Sequence, residues 1–439
     1  MLTAAAIPSE PFVALVVAVI LFALGRLVIH RVAIAEANPW LVQVMTFSLI
    51  LHLLAAPSQI FVVDHFYHGI ADWNRYVHQG ALLAPNFRRF DFTTAGADVR
   101  QIVNDGSVSI AAGIAMAIVG INQLACFLVF SWLSFIGSIC FYRAFTLTFA
   151  GADHRRYALM LFFMPSLIFW TADISKESLM MFALGLISYG AAKFIARKRG
   201  GLALVIPGAF VGVYVRPNEL LLVVAGFVVA MMVPTASARK SLGAVRRVIS
   251  VVFLAVVLYL SVAVTIKYLH HGLNANALQT TNANNASSGT SGGVPYSSSP
   301  ATYPRDFYEV LINPLLIKAH GFGEKVAALE NTVILGLILI SARNLRIVIR
   351  AAFARPYVML CGIYTATFIY TFAALGNLGL IERERTMMIP FMLVLLCIPR
   401  APRGSPPRYE WELRRRARLL HRGLVEQAAW SRKPGTSKV

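Results

Sequence analysis

Residues 157–195 read YALMLFFMPSLIFWTADISKESLMMFALGLISYGAAKFI, two apolar segments separated by a short charged turn. The segments 157–172 and 178–195 approach the roughly 20 apolar residues that a helix needs to cross a bilayer core of about 30 Å. The turn 173–177 carries two carboxylates and one lysine, which are costly in hydrocarbon unless they are paired or used. Repeated along the chain, this pattern predicts an all-α fold, a polytopic transmembrane helical bundle.

Eleven apolar segments can be placed as membrane spans, and the outer loops are expected to bear short interfacial helices. The spans are predicted at residues 11–30, 41–62, 121–147, 157–172, 178–195, 201–217, 219–235, 248–267, 328–347, 357–375 and 386–399. The composition agrees, since 57% of the residues are hydrophobic and 14% are charged, with a mean hydropathy of +0.65. A soluble globular domain carries about 25% charged residues. Pro165, Pro217 and Pro390 lie in or beside short spans and predict kinks or half-helices.

The basic residues give the spans a direction. Read from an extracytoplasmic N-terminus, each cluster of Lys and Arg falls in a cytoplasmic loop, as the positive-inside rule requires. These clusters lie within residues 26–31, 155–156, 193–199, 239–247 and 343–355. The formal net charge of +20 is spread over such loops and the C-terminal tail, so it predicts topology and no nucleic-acid partner. Because the N-terminus lacks the basic residues of a signal peptide, the first span is expected to be retained.

The predicted organisation is one transmembrane domain over residues 1–400 and a basic cytoplasmic tail over 401–439. Two long outer loops interrupt the domain, at 63–108 and 268–327. The second loop begins with a Ser-, Asn- and Gly-rich stretch that cannot bury a core, which suits a mobile substrate lid or a plain linker. From Pro399 onward the chain holds eleven Lys or Arg against three Glu. This tail either lies on anionic lipid as a basic helix or stays solvated.

Carboxylates of the first outer loop are the candidate catalytic residues. Asp64 lies at the end of the second span, and Asp72 follows eight residues later. On a helix, Asp72 shares a face with Tyr76, one turn away. A carboxylate close to the membrane surface can act as general base toward an acceptor hydroxyl. The alternative is an interfacial amphipathic helix whose aromatic residues lie at headgroup level.

Cations at the outer ends of later spans are the candidate substrate-binding residues. They oppose the positive-inside trend, so each needs an anion from the protein or from a ligand. They are Lys176, which lies beside Glu177, and Arg216, Arg383 and Arg385. Lysine holds a phosphate as a point charge and arginine holds it in a bidentate manner. The alternative is local ion pairing: Lys176 with Glu177 or Asp173, Arg216 with Glu219, and a ladder of Arg383 and Arg385 with Glu382 and Glu384.

Motifs for nucleotides, zinc or other cofactors do not occur. The chain has no phosphate-binding loop, Gly-rich nucleotide fingerprint or Cys/His zinc pattern, which argues against a nucleotide-driven pump. The four cysteines fall inside predicted spans without metal-ligand spacing, so they are expected to pack as small hydrophobic residues. The His and Asp residues near residue 68 match no metal signature. No cofactor is predicted, and the use of a divalent metal stays open.

These motifs resemble those of the GT-C superfamily of polytopic membrane glycosyltransferases, including the family 39 protein mannosyltransferase-like and aminoarabinose transferase-like enzymes. The resemblance covers roughly residues 60–400. It rests on Asp72 with Tyr76, the Pro-Ser…Trp…Lys-Glu turn at 165–177, Arg216-Pro217, and Arg383-x-Arg385 before a span containing Pro390. Residues 127–217 are in particular similar to uncharacterised actinobacterial membrane proteins.

The resemblance implies transfer of a sugar from a polyprenyl-phosphate donor to a glycan, lipid or protein acceptor on the extracytoplasmic side of a bacterial plasma membrane. The family's base maps onto Asp72, with Asp64 second. Its lipid-phosphate ligands map onto Lys176, Arg216, Arg383 and Arg385, and Tyr76 and Glu177 lie beside them. O-antigen polymerase proteins share arginine-rich outer loops, so a polysaccharide polymerase is an alternative. A non-enzymatic transporter of lipid-linked glycans is another.

The first prediction concerns topology. A reporter fused after Ser288 should be extracytoplasmic, and one fused after Lys438 should be cytoplasmic, because three predicted spans separate the two positions. Paired alkaline-phosphatase and fluorescent-protein fusions measure this directly. Location of both fusions on one side would overturn the eleven-span topology.

Overall fold

A computed structural model describes most of the chain, and it is helical. The described residues are 10–36, 38–66, 69, 71–93, 103, 105–150, 154–232, 259, 300–319, 322–373 and 378–398. Over these ranges the chain forms α-helices and 3₁₀ turns and no strand, which confirms the all-α prediction for this part of the molecule. The predicted span 248–267 (apart from Tyr259), the stretch 268–299 and the tail 401–439 lie outside the described residues.

The helices follow one another closely along the chain. The first ten are α1 (Pro11–Glu36), α2 (Trp40–Phe66), α3 (Trp73–Arg88), α4 (Asp105–Val119), α5 (Gln123–Thr148), α6 (Arg155–Phe163), α7 (Pro165–Phe169), α8 (Lys176–Ile195), α9 (Gly201–Val215) and α10 (Pro217–Met232). The others are α11 (Tyr303–Leu311), α12 (Phe322–Ala342), α13 (Leu345–Ala354), α14 (Pro356–Phe372), α15 (Leu378–Glu384) and α16 (Ile389–Leu396). A 3₁₀ turn, Arg385–Met387, joins α15 to α16.

Five of the described helices are long and apolar enough to cross a membrane. They are α1, α2, α5, α8 and residues Glu324–Ala342 of α12, and the number rises to six if the bent pair α13–α14 forms one span. The chain is thus consistent with a membrane protein, and the count of eleven spans stays a prediction. Other predicted spans coincide with shorter helices. Proline contributes to this, because Pro165 separates α6 from α7 and Pro217 separates α9 from α10.

Glycines bring α5, α8 and α9 into backbone contact. A Cβ atom on Gly137 of α5 would lie 2.3 Å from the carbonyl oxygen of Met181 in α8. One on Gly185 would lie 2.4 Å from the carbonyl oxygen of Gly137, and one on Gly208 of α9 would lie 2.7 Å from that of Ala183. Small residues permit such approach in membranes, where packing drives helix association. The three helices therefore form a close-packed scaffold for the N-terminus of α8.

Helices α5 and α8 run in the same direction, as the predicted alternation of spans requires. Gly137 contacts Gly185, and farther along both helices Arg143 donates to the Tyr189 hydroxyl at 3.2 Å. Arg143 also pairs with Glu36, the last residue of α1, at 2.6 Å. We call this the basic end of the helices. The opposite end, where α8 begins, is called the cluster end, and the side of the membrane that each end faces stays a prediction.

Two short helices that follow α2, namely α3 and α4, pack side by side. The backbone of Ala112 in α4 lies against Gly80, where a Cβ atom would come within 2.8 Å of the Ala112 Cβ. Arg88, at the end of α3, donates to the carbonyl oxygen of Met116 at 3.0 Å. Helix α4 is apolar, but its fifteen residues are too few to cross a bilayer. The two helices begin near each other, which brings Tyr76 and Asp105 together.

Replacing Gly137 by Ala should lower the stability of the helical bundle. The added methyl group must push α5 away from α8, and overpacking of this kind typically costs about 1–3 kcal/mol. Gly336→Ala is a matched control, because a Cβ atom on this α12 glycine meets nothing within 4 Å. Thermal unfolding in detergent can be followed by dye labelling of the four buried cysteines. Equal midpoints for both variants would contradict the close packing.

Candidate functional site

The predicted site residues, with one exception, meet at the cluster end. Hydrogen bonds and ion pairs there join the start of α3, the start of α4, the start of α8, the α9–α10 junction and the segment 382–385. The group, which we call the charged cluster, includes Asp72, Tyr76, Lys176, Glu177, Arg216, Arg383 and Arg385. Asp64 is the exception: it is exposed on the last turn of α2 and has no partner among the described residues.

Arg216 lies at the centre of the buried part of the charged cluster. The chain leaves the helical conformation at this residue, with φ −148° and ψ 81°, between the end of α9 and Pro217. Its guanidinium pairs with Glu177 at 2.6 Å and with Glu219 at 2.7 Å, and it also contacts Glu384. The protein itself therefore supplies the anion that an outer arginine requires. Glu219 is the local partner that the sequence suggested, and the other two carboxylates come from α8 and α15.

Arg383 connects this buried group to the surface. Its Nε atom lies 2.9 Å from Oε1 of Glu177, and its Nη1 atom lies 2.9 Å from Oδ2 of Asp72. Asp72 immediately precedes α3 but makes no side-chain capping hydrogen bond, and its side chain is 66% exposed. The Asp72 carboxylate is thus held by one arginine and otherwise faces outward. A group outside the protein can therefore reach this carboxylate.

Asp105, at the start of α4, contacts a second set of side chains, one hydroxyl and two cations. Its Oδ1 accepts a hydrogen bond from the Tyr76 hydroxyl at 2.9 Å and pairs with Lys176 at 2.6 Å, while Arg75 contacts its other oxygen. Tyr76 therefore bonds to Asp105 and not to Asp72. Burial alone would raise the pKa of Asp105, but Lys176, Tyr76 and Arg75 overcome it and bring the pKa to about 2. The carboxylate is ionised at neutral pH.

Asp173, in the turn before α8, has a different environment. Burial raises the pKa of its carboxyl group to about 6, and Arg383 opposes this shift. Its Oδ1 atom is buried without a hydrogen-bond partner among the described residues.

Ser175 caps α8 through a hydrogen bond from the Ser178 amide at 3.3 Å, and Glu177 in the first turn is favourably placed in the field of the helix dipole.

Within the charged cluster, Arg385 forms a buried pair with a different carboxylate, Glu330. It lies 3.6 Å from Glu330 of α12, and this carboxylate accepts hydrogen bonds from the amide and the hydroxyl of Ser166 at 2.7 and 2.6 Å. Neither Arg383 nor Arg385 pairs with Glu382 or Glu384 of its own segment. The local ladder considered from the sequence is therefore replaced by longer-range pairs. Glu330 lies inside an apolar span and gave no sequence signal beyond being a charge in hydrocarbon.

The charged cluster has a buried layer and an accessible layer, and the ratio of cations to carboxylates differs between them. In the buried layer two arginines, Arg216 and Arg385, face four carboxylates: Glu177, Glu219, Glu330 and Glu384. In the accessible layer three cations face two carboxylates: Arg75, Lys176 and Arg383 against Asp72 and Asp105. The accessible layer is the part of the cluster that can receive an anion. No group of three His, Cys, Asp or Glu with metal-binding geometry occurs within the described ranges.

Comparisons with known proteins add no family to this picture. No protein-family model, curated protein or solved structure matches the chain. The GT-C resemblance therefore stays a prediction, carried by the residues of the charged cluster.

Replacing Arg385 by Ala should destabilise the fold severely. The side chain is 1% exposed, and its loss strands the Glu330 carboxylate in the interior, which typically costs about 3–5 kcal/mol. Combining Arg385→Ala with Glu330→Gln should cost less than Arg385→Ala alone, because no charge is then stranded. The exposed Arg346→Ala serves as the control, and thermal unfolding in detergent is the measurement. Rescue of Arg385→Glu by Glu382→Arg would instead support the local ladder.

Proposed function

We propose that this chain is an integral membrane glycosyltransferase that moves a sugar from a polyprenyl-phosphate donor to an acceptor hydroxyl. One observation carries the proposal: Asp72, Lys176 and Arg383 come from three distant parts of the sequence and share the accessible layer of the charged cluster. This layer combines an exposed carboxylate, Asp72, with three cations that outnumber its two carboxylates by one. The combination suits a reaction with an anionic leaving group and a hydroxyl nucleophile.

The donor phosphate is assigned to Lys176 and Arg383. Their side chains are 17% and 21% exposed, so each can reach a ligand while Asp105 or Glu177 keeps it in place. Charge-assisted hydrogen bonds of both residues to phosphate neutralise the charge that builds up on the leaving group. A phosphate that binds to Nη1 of Arg383 displaces the Asp72 carboxylate from that atom. Donor binding thus releases the Asp72 carboxylate from its ion pair with Arg383.

The released Asp72 carboxylate then acts on the acceptor. It takes the proton of the acceptor hydroxyl while the hydroxyl oxygen bonds to the anomeric carbon of the sugar. The bond between this carbon and the phosphate oxygen breaks, and polyprenyl phosphate leaves with the bonding electron pair. The enzyme's main contribution is to hold donor, acceptor and base in line.

Arg216 and Glu177 are assigned a positioning role beneath this layer. Arg216 has three carboxylate partners and is buried, so a donor phosphate would have to displace protein groups to reach it. Glu177 bridges Arg216 and Arg383 through its Oε1 atom. The buried pair therefore fixes the orientation of Arg383.

Two alternatives make different predictions at the same site. A polysaccharide polymerase uses the same donor chemistry and differs only in taking a growing glycan as acceptor. A transporter of lipid-linked glycans needs charged groups along its path, whereas the described carboxylates and cations concentrate toward the ends of the helices. This distribution favours chemistry at the membrane surface.

Asp72→Asn should lower turnover by roughly 10²–10⁴, the usual contribution of a general base, with little change in the KM for the donor. Lys176→Gln should instead raise the KM for the donor. Asp64→Asn is the control, since Asp64 is exposed and apart from the charged cluster. The assay is sugar transfer in proteoliposomes from a panel of radiolabelled polyprenyl-phosphate sugars, with glycan and lipid acceptors and with or without a chelator.

The outcomes separate the hypotheses. Full activity of Asp72→Asn would remove Asp72 as the base, and full activity of Lys176→Gln would remove the phosphate assignment. Movement of the labelled lipid across the bilayer without a new glycosidic bond would support the transporter. Chain elongation only on a glycan acceptor would identify a polymerase.

A further inference from the structure

Helix α13 lies at the basic end, where Arg355, the residue after it, donates to the carbonyl oxygen of Thr148 at 2.8 Å, and it does not continue α14. It follows α12 after a two-residue turn, and its axis differs from that of α14 by 117°. The break occurs at Arg355, which is extended with φ −131° and ψ 106°, just before Pro356. At 1.5 Å per residue, its ten residues extend about 15 Å, too short to cross a bilayer.

The outward side of α13 combines charge with apolar surface. Three arginines at its start and middle are exposed: Arg343, Arg346 and Arg350. Three large apolar side chains on the same helix are also exposed: Ile347, Ile349 and Phe353, the last at 67%. Ala351 and Ala352 pack against the core and hold the opposite side in place. Arg346 and Arg350 are one turn apart and therefore share a face.

The three arginines have no hydrogen-bond or ion-pair partner among the described residues. This differs from the charged cluster, where each arginine contacts at least one carboxylate. A short helix with arginines between exposed apolar side chains is typical of segments that lie in the plane of the membrane interface. There the guanidinium groups meet lipid phosphates and the apolar side chains enter the acyl region.

We propose that α13, together with Arg343, is a binding surface for anionic phospholipid. Charge complementarity selects this occupant. A second copy of the chain would present the same basic surface, and the segment from Pro399 onward carries eleven Lys or Arg against three Glu. Both would be repelled, whereas an anionic headgroup neutralises the arginines. The surface is separate from the charged cluster, so the inference does not depend on the proposed enzymatic function.

Site-specific crosslinking to lipid tests the proposal. A photoreactive phenylalanine analogue replaces Phe353 in the full chain, which is reconstituted in nanodiscs of phosphatidylcholine with 20 mol% tagged lipid. Crosslinking to phosphatidylglycerol should exceed crosslinking to tagged phosphatidylcholine by about tenfold at low salt, because each nearby basic residue attracts anionic lipid. The excess should fall at high salt, since screening shortens the reach of exposed charges.

Two controls make the test specific. The preference for phosphatidylglycerol should be lost in the triple variant Arg343→Gln, Arg346→Gln, Arg350→Gln. It should be retained in a second triple variant, Arg197→Gln, Lys198→Gln, Arg199→Gln, which removes the same charge elsewhere at the basic end. The analogue at Phe12, 74% exposed at the start of α1, should show no preference. Equal yields at Phe353, survival of the preference in the first triple variant, or equal loss in both triple variants would each overturn the proposal.

Discussion

The cluster end depends on one buried guanidinium, that of Arg216, which contacts Glu177, Glu219 and Glu384. Ions withdrawn from water are costly, and their mutual attraction offsets that cost only when the geometry is good and each has a partner. Arg216 therefore constrains where α8, α10 and α15 can begin or end relative to one another. Pro217 interrupts the helix just after Arg216, and this break gives the guanidinium its position between the three carboxylates.

The buried charges also decide what the accessible charges can do. Glu177 touches Arg216 and Arg383 with the same oxygen, so an arginine near the surface is oriented by a group that water does not reach. Such an arginine loses little entropy when it binds a ligand. A lone arginine on a flexible loop would have to be ordered during binding, at a cost in affinity. In the proposed mechanism, the buried groups hold the site together and the accessible groups contact the donor.

The sequence predicted which residues lie together at the cluster end better than it predicted how they pair. Helical segments follow from apolar runs, and outer charges stand out against the positive-inside trend, so Asp72, Lys176 and Arg383 could be selected locally. Their partners could not, because Asp72 and Arg383 are 311 positions apart and no local pattern encodes their contact. Asp105 was one aspartate among several in its loop, and its role appears only once α3 and α4 pack together. Apolarity alone also does not determine the number of spans, because prolines divide apolar segments into shorter helices.

The described ion pairs at the two ends of the bundle differ in burial and in how fully hydrogen bonds satisfy their oxygens. At the basic end, the Arg143–Glu36 pair is completed by Thr146 and Tyr189, and no oxygen of Glu36 is left buried without a partner. At the cluster end, Asp173 Oδ1, Glu177 Oε2 and Glu219 Oε2 are buried without hydrogen bonds among the described residues. Structural ion pairs tend toward full satisfaction, whereas proteins tolerate unsatisfied polar groups mainly where a ligand, a proton or water completes them. These three buried oxygens are therefore the places at the cluster end where a ligand, a proton or water would complete the hydrogen bonding, in agreement with the proposed site.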